Sequence, residues 1–539
     1  MDHSLHFDLR LAIETSIKNV PTVLNNTSHP RFQSQLMIID DRHYDIIIIG
    51  SGAGGGTLAG ALTQKGKSVL VLECGNAMAL EDQNVADVDV FRRERYHPPN
   101  EIWFGPDGDP FAPQTTYAIG GNSKIWGAVL ERMREQDFDA IPLQQGISPA
   151  WPFKYEELAK HYDSAERLYR VHGKTGIDPT EPQRNGDFDH PPKTIEPFLE
   201  PLRSALRRQG CKPYDIPLSW SEDKEDPTGD AELFGINQSD KNNLTLQTGA
   251  RVIRLHVNPT GQVVKGVEAE VNGNFWLFSA DLIVLSAGAI NTPAILLRSS
   301  DINHPRGLSN SSNQVGRNLM NLQLTSILQL ATERNSGRYN RSIGINDYYW
   351  GDKNVSFPLG HIQSAGGVLQ DALFAESPPV LSLVTRLIPN FGLERLASRS
   401  VAWWAMTEVL PDPENRVSLQ NGKIHIDYLH NNQEAHDRLV YRWIDTIKSI
   451  EEDPITRVVK TAPTHPRGQA PISVVGFACG TCRMGNDPAH SVVDPTGKCH
   501  EIDNLYIADA SVFPSCPSIG PGLTTIALAL RLAEKLGQT

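Results

Sequence analysis

The sequence predicts an α/β fold in which a lobe built on a parallel sheet is interleaved with a second lobe built on an antiparallel sheet. The chain has 539 residues, which is more than one ordinary hydrophobic core supports. Residues 46–49 are all isoleucine, as a parallel strand buried on both faces requires. Shorter strand patterns at residues 361–369 and 416–429 are typical of a separate antiparallel sheet.

The same patterns predict how the two lobes are divided along the chain. An apolar helical pattern near the N-terminus gives way to a polar linker, which predicts an N-terminal extension over residues 1–42. Strand and helix signals then place the first domain at residues 43–170, 240–320 and 470–539. The second domain, which we expect to hold the substrate, takes residues 171–239 and 321–469.

Composition excludes several classes of function. An apolar content of 39% and a charged content of 21% are ordinary for a globular protein. The formal charge of −13, without a dense cluster of Lys and Arg, argues against a nucleic-acid partner. The sequence shows neither an apolar stretch long enough to span a membrane nor a signal-peptide pattern. We therefore expect no membrane span and a cytoplasmic location.

The cysteines do not predict a metal site or a disulfide framework. The chain has 6 Cys, which is few for its length and fits a reducing compartment. Cys479 and Cys482 form a C-x-x-C motif, but no second such motif completes a four-ligand zinc site. We therefore expect no metal.

A glycine motif follows the first apolar strand. Gly50, Gly52 and Gly55 form G-x-G-x-x-G between a strand and a helix, where backbone N–H groups can approach a pyrophosphate at the positive end of the helix. Glu73 ends the next strand, where its carboxylate can bind ribose hydroxyls. Glycines used only for close helix packing are the alternative interpretation. The motif predicts dinucleotide binding, but it does not distinguish FAD from NAD.

Four further segments resemble a known family. YAIGGNSKIWGAVLERM, GAINTPAILLRSS, GTCRMG and DNLYIADASVFP occur in this order, and with the glycine motif they resemble the glucose-methanol-choline (GMC) oxidoreductases over nearly the whole chain. Ser300 departs from the pattern, because glycine is usual there. The resemblance implies a Rossmann-like FAD-binding domain and oxidation of a small or medium organic molecule. The resemblance does not identify the electron acceptor, and oxygen, a quinone and a protein are the candidates.

The resemblance also implies which residues contact FAD. The loop at residues 120–123 is expected under the pyrophosphate and the isoalloxazine ring, and Asp509 at the ribityl chain. The final helix should direct its positive end at the flavin pyrimidine. Ile125 stands where several members carry a histidine bonded to flavin, so we expect non-covalent FAD. The implied contacts are Gly50, Gly52, Gly55, Glu73, Gly120, Gly121, Asn122, Ser123, Val252, Asp509, Pro521 and Leu523.

The family's catalytic pair is altered in this chain. The family places a histidine three residues before GTC and a histidine or asparagine before the proline of the final helix, and these positions are Phe477 and Gly520 here. Neither residue can accept the proton that leaves an alcohol during hydride transfer. We also expect the region of Trp403 and Trp404 to help shape an apolar pocket.

Three explanations of the altered pair stay open. A base could come from elsewhere, and His361, His490 and His500 are the candidates. The substrate could instead need no strong base, as in a desaturation, the oxidation of an activated C–H bond, or a radical or light-driven step. The third explanation is a flavin-binding protein without catalysis. An active but atypical oxidoreductase is the preferred hypothesis, because the cofactor residues are retained.

Overall fold

The computed structural model contains both strands and helices, and among the described residues the runs of consecutive strands at 244–285 and 320–427 contain no helix. It describes residues 37–78, 98, 100–193, 196–220, 229–336, 341–366 and 398–538. Most of the predicted N-terminal extension lies outside the described residues. The first strand begins at Ile38, before the predicted boundary at residue 42, because the chain already pairs there with a strand of the main sheet.

Many of the strands are short, and the longest belong to two sheets. In chain order they are β1 (Ile38–Ile49), β2 (Val69–Leu72), β3 (Trp103–Phe104), β4 (Pro110–Phe111), β5 (Ile141–Leu143), β6 (Gly146–Ser148), β7 (Val171–His172), β8 (Tyr214–Asp215), β9 (Leu218–Ser219), β10 (Leu244–Gln247), β11 (Ala250–Val257), β12 (Val264–Val271), β13 (Asn274–Leu285), β14 (Met320–Asn321), β15 (Gln323–Leu330), β16 (Ile343–Ile345), β17 (His361–Gly366), β18 (Ser400–Thr407), β19 (Arg416–Gln420), β20 (Lys423–Asp427), β21 (Arg467–Gln469), β22 (Ala478–Cys479) and β23 (Leu505–Ile507).

The helices pack against these sheets. They are α1 (Ala53–Thr63), α2 (Tyr155–Leu168), α3 (Glu200–Arg208), α4 (Ala231–Phe234), α5 (Gly288–Arg298), α6 (Gln433–Glu452) and α7 (Gly522–Leu536). Single 3₁₀ turns occur at Gly121–Lys124, Glu135–Phe138, Ile236–Gln238 and Ala510–Val512. None of the helices in the described part of the chain is long and apolar enough to cross a membrane.

The main sheet confirms the predicted α/β fold. Its order is β10-β2-β1-β13-β12-β11, and β23 pairs with the end of β13. β10, β2, β1, β13 and β23 are parallel, whereas β11 and β12 are antiparallel additions. The parallel strands β1, β2, β13 and β23 lead into Gly50, Glu73, Ser286 and Ala508, which therefore meet at one edge of the sheet. Ligands of open α/β sheets bind at this edge.

The second sheet is antiparallel, as the sequence predicts. Its order is β21-β15-β18-β17-β16-β8. One face packs on α6, where the rings of Trp403 and Trp443 lie 4.7 Å apart at a steep angle. The hairpin at residues 416–427 does not join this sheet. It pairs with β3 in a separate small sheet that packs on α5.

The final helix is buried on most of its surface, as its apolar sequence predicts. α7 packs against α1 and α2, and Leu523, Ile526 and Leu532 are all buried. Tyr162 of α2 is hydrogen-bonded to Thr524, with 2.7 Å between the two hydroxyl oxygens. The N-terminal end of α7 is thereby fixed beside the edge of the main sheet.

Candidate active site

Two of the three motif glycines are required by close backbone packing. Gly50 leaves β1 with φ of +100°, and a Cβ added there would lie 2.4 Å from the carbonyl oxygen of Ser286. A Cβ added at Gly55 would lie 2.0 Å from the carbonyl oxygen of Gly50. Real Cβ atoms do not approach backbone this closely. Any side chain at either position would push α1 away from the sheet.

Packing does not explain Gly52. It adopts an ordinary extended conformation at the N-terminus of α1, and the nearest atom to an added Cβ is the carbonyl oxygen of Gly120, 3.9 Å away. Gly52 therefore borders open space between two loops, beside the positive end of a helix. This space fits a pyrophosphate, which needs close approach to backbone N–H groups.

The loop that faces Gly52 is held by its own polar side chains. Gly120 and Gly121 both have positive φ, and a Cβ added at Gly121 would lie 3.4 Å from the Cα atom of Gly52. The Ser123 hydroxyl donates to the carbonyl oxygen of Gly120 at 2.6 Å. Asn122 Oδ1 accepts the backbone N–H of Thr116 at 2.8 Å. Asn122 and Ser123 therefore shape the loop from within.

Glu73 connects the second strand to the glycine loop. Its Oε2 atom accepts both the backbone N–H and the hydroxyl of Ser51, at 3.0 and 2.7 Å, and its Oε1 atom accepts the N–H of Gly75 at 2.8 Å. Burial raises the pKa of the Glu73 carboxyl, and these hydrogen bonds oppose the rise. A carboxylate has about four lone-pair positions, so Glu73 keeps the capacity to accept a ribose hydroxyl. Val252 lies on β11 nearby, where the N–H of Ala250 donates to the Glu73 carbonyl at 2.8 Å.

Asp509 lies just after β23, as Glu73 lies just after β2. Its Oδ2 atom accepts the Thr292 hydroxyl at 2.6 Å and the N–H of Gly288 at 3.0 Å, while Oδ1 accepts the N–H of Ser511 at 2.9 Å. Burial raises the pKa of this carboxyl, and the hydrogen bonds from Ser511 and Thr292 oppose the rise. Asp509 thus fixes the start of α5 against the end of β23.

The N-terminus of α7 faces the loop that carries Trp126. Pro521 precedes the helix, and Leu523 is fully buried in its first turn. A Cβ added at Gly522 would lie 3.0 Å from the Trp126 ring. The N–H groups of a first helical turn have no intrahelical acceptor, so this end of α7 can stabilise negative charge placed beside it.

The structure brings the two altered positions together. A Cβ added at Gly520 would lie 3.5 Å from Cε1 of the Phe477 ring. Gly520 immediately precedes Pro521, the N-cap of α7, and Phe477 immediately precedes β22. The two positions counted from GTCRMG are therefore neighbours in the structure.

Comparisons with known proteins identify the family. Two models described as GMC oxidoreductase match the chain, one at residues 222–323 and the other at residues 411–529. 6'''-Hydroxyparomomycin C oxidase of Streptomyces lividus is 27% identical over 92% of this chain and 92% of its own length. The chain belongs to the GMC oxidoreductase family.

Other relatives extend the likeness over the same length. 2-Methyl-1,2-propanediol dehydrogenase of Mycolicibacterium austroafricanum is 26% identical over 92% of this chain and 95% of its own length. The solved structure of pyridoxine 4-oxidase from Mesorbium loti matches with a TM-score of 0.66 at 19% identity, and it covers 92% of this chain and 99% of that one. Like other GMC oxidoreductases, this chain is an FAD-dependent oxidoreductase. The opening beside Gly52, which a side chain would fill, fits that cofactor.

Within this GMC fold, His361 lies in a buried polar network. Its Nδ1 atom is 2.8 Å from Asn346 Oδ1, its Nε2 atom is 3.2 Å from Gln363 Oε1, and Glu131 lies 3.7 Å away. Burial lowers the pKa of the imidazole, although the charge of Glu131 opposes this. Both ring nitrogens are therefore engaged by neighbouring side chains.

The other two histidine candidates lie on the segment between GTCRMG and β23. His490 is exposed and is 3.9 Å from Asp487. His500 Nε2 is 2.8 Å from the Ser491 hydroxyl. Among the described contacts, none joins either histidine to Phe477 or Gly520.

The paired tryptophans of β18 point to opposite sides of the antiparallel sheet. Trp403 is completely buried against α6, so in the region expected to shape the pocket this side chain packs within the core of the second lobe. Successive strand residues face opposite ways, and Trp404 packs against the core cluster that includes residues of the cofactor lobe. Arg341 lies over its ring, 4.3 Å from the centroid, and donates to the Trp126 carbonyl oxygen at 2.5 Å. Sequence reasoning missed Arg341, which lies in a polar stretch without a motif.

The cysteines of the C-x-x-C motif do not pair with each other. Burial raises the pKa of Cys479, and the neighbouring Cys516 adds to this rise. Cys482 lies separately, with Asp509 and Cys499 as its titratable neighbours. In the described part of the chain no group of three or more His, Cys, Asp or Glu side chains could hold a metal ion.

Proposed function

We propose that this GMC oxidoreductase oxidises a small or medium organic molecule by a reaction in which the family's His and Asn pair takes no part. The adjacency of Phe477 and Gly520 carries this proposal. The two side-chain positions meet as a catalytic pair would, but neither can accept a proton. FAD supplies the hydride acceptor when it is bound, and proton removal must then depend on another group or be unnecessary.

In this proposal FAD is held by the glycine loop at residues 50–55, by the loop at residues 120–123, and by two buried carboxylates, Glu73 and Asp509. We propose that Gly52 gives the pyrophosphate access to the N-terminus of α1, that Glu73 accepts hydrogen bonds from the ribose, and that Asp509 fixes the loop at the ribityl chain. The remaining proposed contacts with FAD are assigned because these residues lie in the same two loops, on β11 or at the start of α7. They are Gly50, Gly55, Gly120, Gly121, Asn122, Ser123, Val252, Pro521 and Leu523.

Binding of FAD is non-covalent in this proposal. Ile125 follows the 3₁₀ turn at Gly121–Lys124, and its side chain has no nitrogen through which flavin could be attached. We propose that residues 38–170, 240–320 and 470–539 form the cofactor domain, which begins with β1, and that residues 171–239 and 321–469 form the substrate domain.

The relatives and two aromatic side chains, Phe477 and Trp404, suggest the class of substrate. Two relatives are named for their action on a hydroxyparomomycin and on a diol, which favours a substrate with a hydroxyl group. Phe477 and Trp404 make the surroundings more apolar than a sugar site requires. We therefore propose a hydroxylated substrate of partly apolar character, with a desaturation or activated C–H oxidation as the alternative reaction.

A substrate screen under anaerobic conditions tests this function. The purified holoprotein is mixed with 1,2-diols, aminoglycosides, fructose and aromatic alcohols, and the flavin absorption band is followed. Bleaching by a hydroxylated compound is the expected result. The second candidate, a flavin-binding protein without catalysis, is favoured by the lost pair, and it predicts that no compound bleaches the band although dithionite does.

A further inference from the structure

Two half-buried aromatic rings flank the segment that leads into α7. A Cβ added at Gly520 would lie 3.5 Å from the Phe477 ring, and one added at Gly522 would lie 3.0 Å from the Trp126 ring. Both rings keep part of their surface exposed. The Trp126 ring is therefore a neighbour of the altered pair, although it is supplied by the loop that carries Ser123.

The main chain at Trp126 is held by an arginine next to the antiparallel sheet. Arg341 Nη1 donates to the Trp126 carbonyl oxygen at 2.5 Å. The guanidinium group of the same residue lies over the Trp404 ring, 4.3 Å from its centroid. Arg341 precedes β16, and Trp404 lies on β18 of the same sheet. One side chain therefore connects the antiparallel sheet to the loop that supplies the Trp126 ring.

The turn after Trp126 fits closely around this arginine. Gly127 and Ala128 have φ of +69° and +57°, a left-handed conformation that a residue with a Cβ rarely adopts. A Cβ added at Gly127 would overlap Nη1 of Arg341. The Ala128 carbonyl oxygen accepts the N–H of Ser219 at 2.9 Å, which holds the turn from the other side. The surroundings therefore fix the direction of the Trp126 carbonyl towards Arg341.

A hydrogen bond and a ring contact hold the indole of Trp126. Its Nε1 atom donates to the carbonyl oxygen of Gly229 at 3.2 Å. The indole also meets the ring of Tyr169 at a steep angle, with 6.2 Å between the two centroids. The residue is therefore fixed through its ring by these contacts and through its main chain by Arg341. A shift of the Trp126 carbonyl would move the ring relative to Gly522.

Trp404 lies on the side of the antiparallel sheet that faces the cofactor lobe. It packs against the core cluster that includes residues of that lobe, and the β17 residue opposite it is Gln363. Opposite residues of an antiparallel pair present their side chains on the same face of the sheet. Gln363 therefore places a polar group beside the Trp404 ring. An aromatic surface with a polar neighbour suits a hydroxylated molecule of partly apolar character.

Both contacts of Arg341 depend on the shape of a guanidinium group. Its planar face packs on an aromatic ring while the N–H groups along its edge point to acceptors. Lysine carries its charge on a single nitrogen and does not reproduce this combination. Arg341→Lys should therefore weaken the hold on Trp126. Arg341→Met, which keeps an apolar unbranched side chain, should remove it.

We propose that Arg341 is a positioning residue that holds Trp126 against the start of α7, and that the Trp126 ring forms a wall of the substrate site beside Phe477. This proposal rests on the proposed function. A wall contacts the substrate in the ground state and in the transition state alike, so its displacement should raise KM and leave kcat nearly unchanged. Neither residue takes part in the transfer of a proton or a hydride.

The first test is a double-mutant cycle on the holoprotein, with a hydroxylated compound that bleaches the wild type. Anaerobic stopped-flow measurements give the limiting rate of flavin reduction and the substrate concentration at half that rate. Arg341→Met and Trp126→Leu should each raise this concentration by about 10-fold or more, with little change in the limiting rate. The double variant should raise it by less than the product of the two single effects, because Arg341 acts through Trp126.

The matched control is an arginine with the same two kinds of contact at the other end of α7. Arg531 lies over the Phe153 ring, 4.3 Å from its centroid, and donates to the Pro495 carbonyl oxygen at 2.6 Å. It is about 13 Å along the helix axis from Gly522. Arg531→Met should therefore change neither the limiting rate nor the substrate concentration at half that rate.

A second measurement does not depend on turnover. The holoprotein is labelled with 5-fluorotryptophan, and among its 9 Trp residues the ¹⁹F resonance of Trp126 is the one missing from Trp126→Leu. This resonance should move in Arg341→Met and stay in place in Arg531→Met. An unmoved resonance in Arg341→Met, or single effects that multiply in the double variant, overturns the positioning role. Failure of every compound to reduce the wild type contradicts the proposed function, and the substrate wall falls with it, although the resonance still decides whether Arg341 positions Trp126.

Discussion

Replacing Gly52 by valine should remove FAD without unfolding the protein. An added Cβ at Gly52 meets no atom closer than 3.9 Å, and the backbone is already in an extended conformation open to any residue. The change in the free energy of unfolding of the apoprotein should therefore stay within about 1 kcal/mol. The side chain nevertheless fills the space assigned to the pyrophosphate.

The expected loss of FAD binding in Gly52→Val can be compared with the expected loss of stability in a control variant, Gly55→Ala. If Gly52→Val weakens FAD binding by 100-fold or more, ligand stabilisation of about 2.7 kcal/mol is lost. Gly55→Ala places a Cβ 2.0 Å from the Gly50 carbonyl oxygen, which must move by about 1 Å to restore a 3.0 Å contact. Overpacking of this kind costs about 1–3 kcal/mol, whether FAD is present or not.

The assay combines flavin content with thermal unfolding. The ratio of flavin to protein absorbance is measured after purification, and the unfolding midpoint is then measured with and without added FAD. The wild type should gain stability from FAD, Gly52→Val should match the wild-type apoprotein and not respond, and Gly55→Ala should unfold earlier in both conditions. Stoichiometric FAD in purified Gly52→Val would refute the assignment of this loop.

Three further predictions concern the flavin link, the altered pair and the tryptophans. Acid denaturation of the wild type should release all flavin into solution, because Ile125 offers no atom for attachment, and flavin that stays on the polypeptide would contradict this. Phe477→His combined with Gly520→Asn should increase alcohol-dependent flavin reduction by part of the 10²- to 10⁴-fold that a positioned base contributes, and no gain in stopped-flow measurements would count against the pair. Trp404→Ala should change substrate KM, whereas Trp403→Ala should leave KM unchanged and lower the free energy of unfolding by about 3–5 kcal/mol.

The sequence predicts the cofactor lobe well because its signals are local. An apolar strand, a glycine turn and a helix are adjacent in the chain, and parallel strands necessarily bring their carboxyl ends to one edge of the sheet. Gly50 and Glu73 could therefore be placed together before any coordinates were known. The spacing of glycines could not show that Gly50 and Gly55 are fixed by packing while Gly52 borders open space.

The second lobe was predicted less completely because its pairings are distant in sequence. The hairpin at residues 416–427 looks like part of the same sheet as β17, but its partner is β3, some three hundred residues earlier. Alternation shows that Trp403 and Trp404 face opposite ways, yet only the position of α6 reveals which of them is buried.

We expect Phe477 and Gly520 to behave as one unit because a side chain at position 520 would contact the Phe477 ring. At 3.5 Å from the Phe477 ring, a Cβ at position 520 makes an ordinary contact, but the amide of an asparagine would need to extend beyond it. Glycine at 520 therefore suits phenylalanine at 477, and a smaller imidazole at 477 would free the space that an asparagine needs. Neighbouring substitutions of this kind are not additive. Restoring the family's chemistry therefore requires both changes, and Gly520→Asn alone should be more disruptive than the double variant.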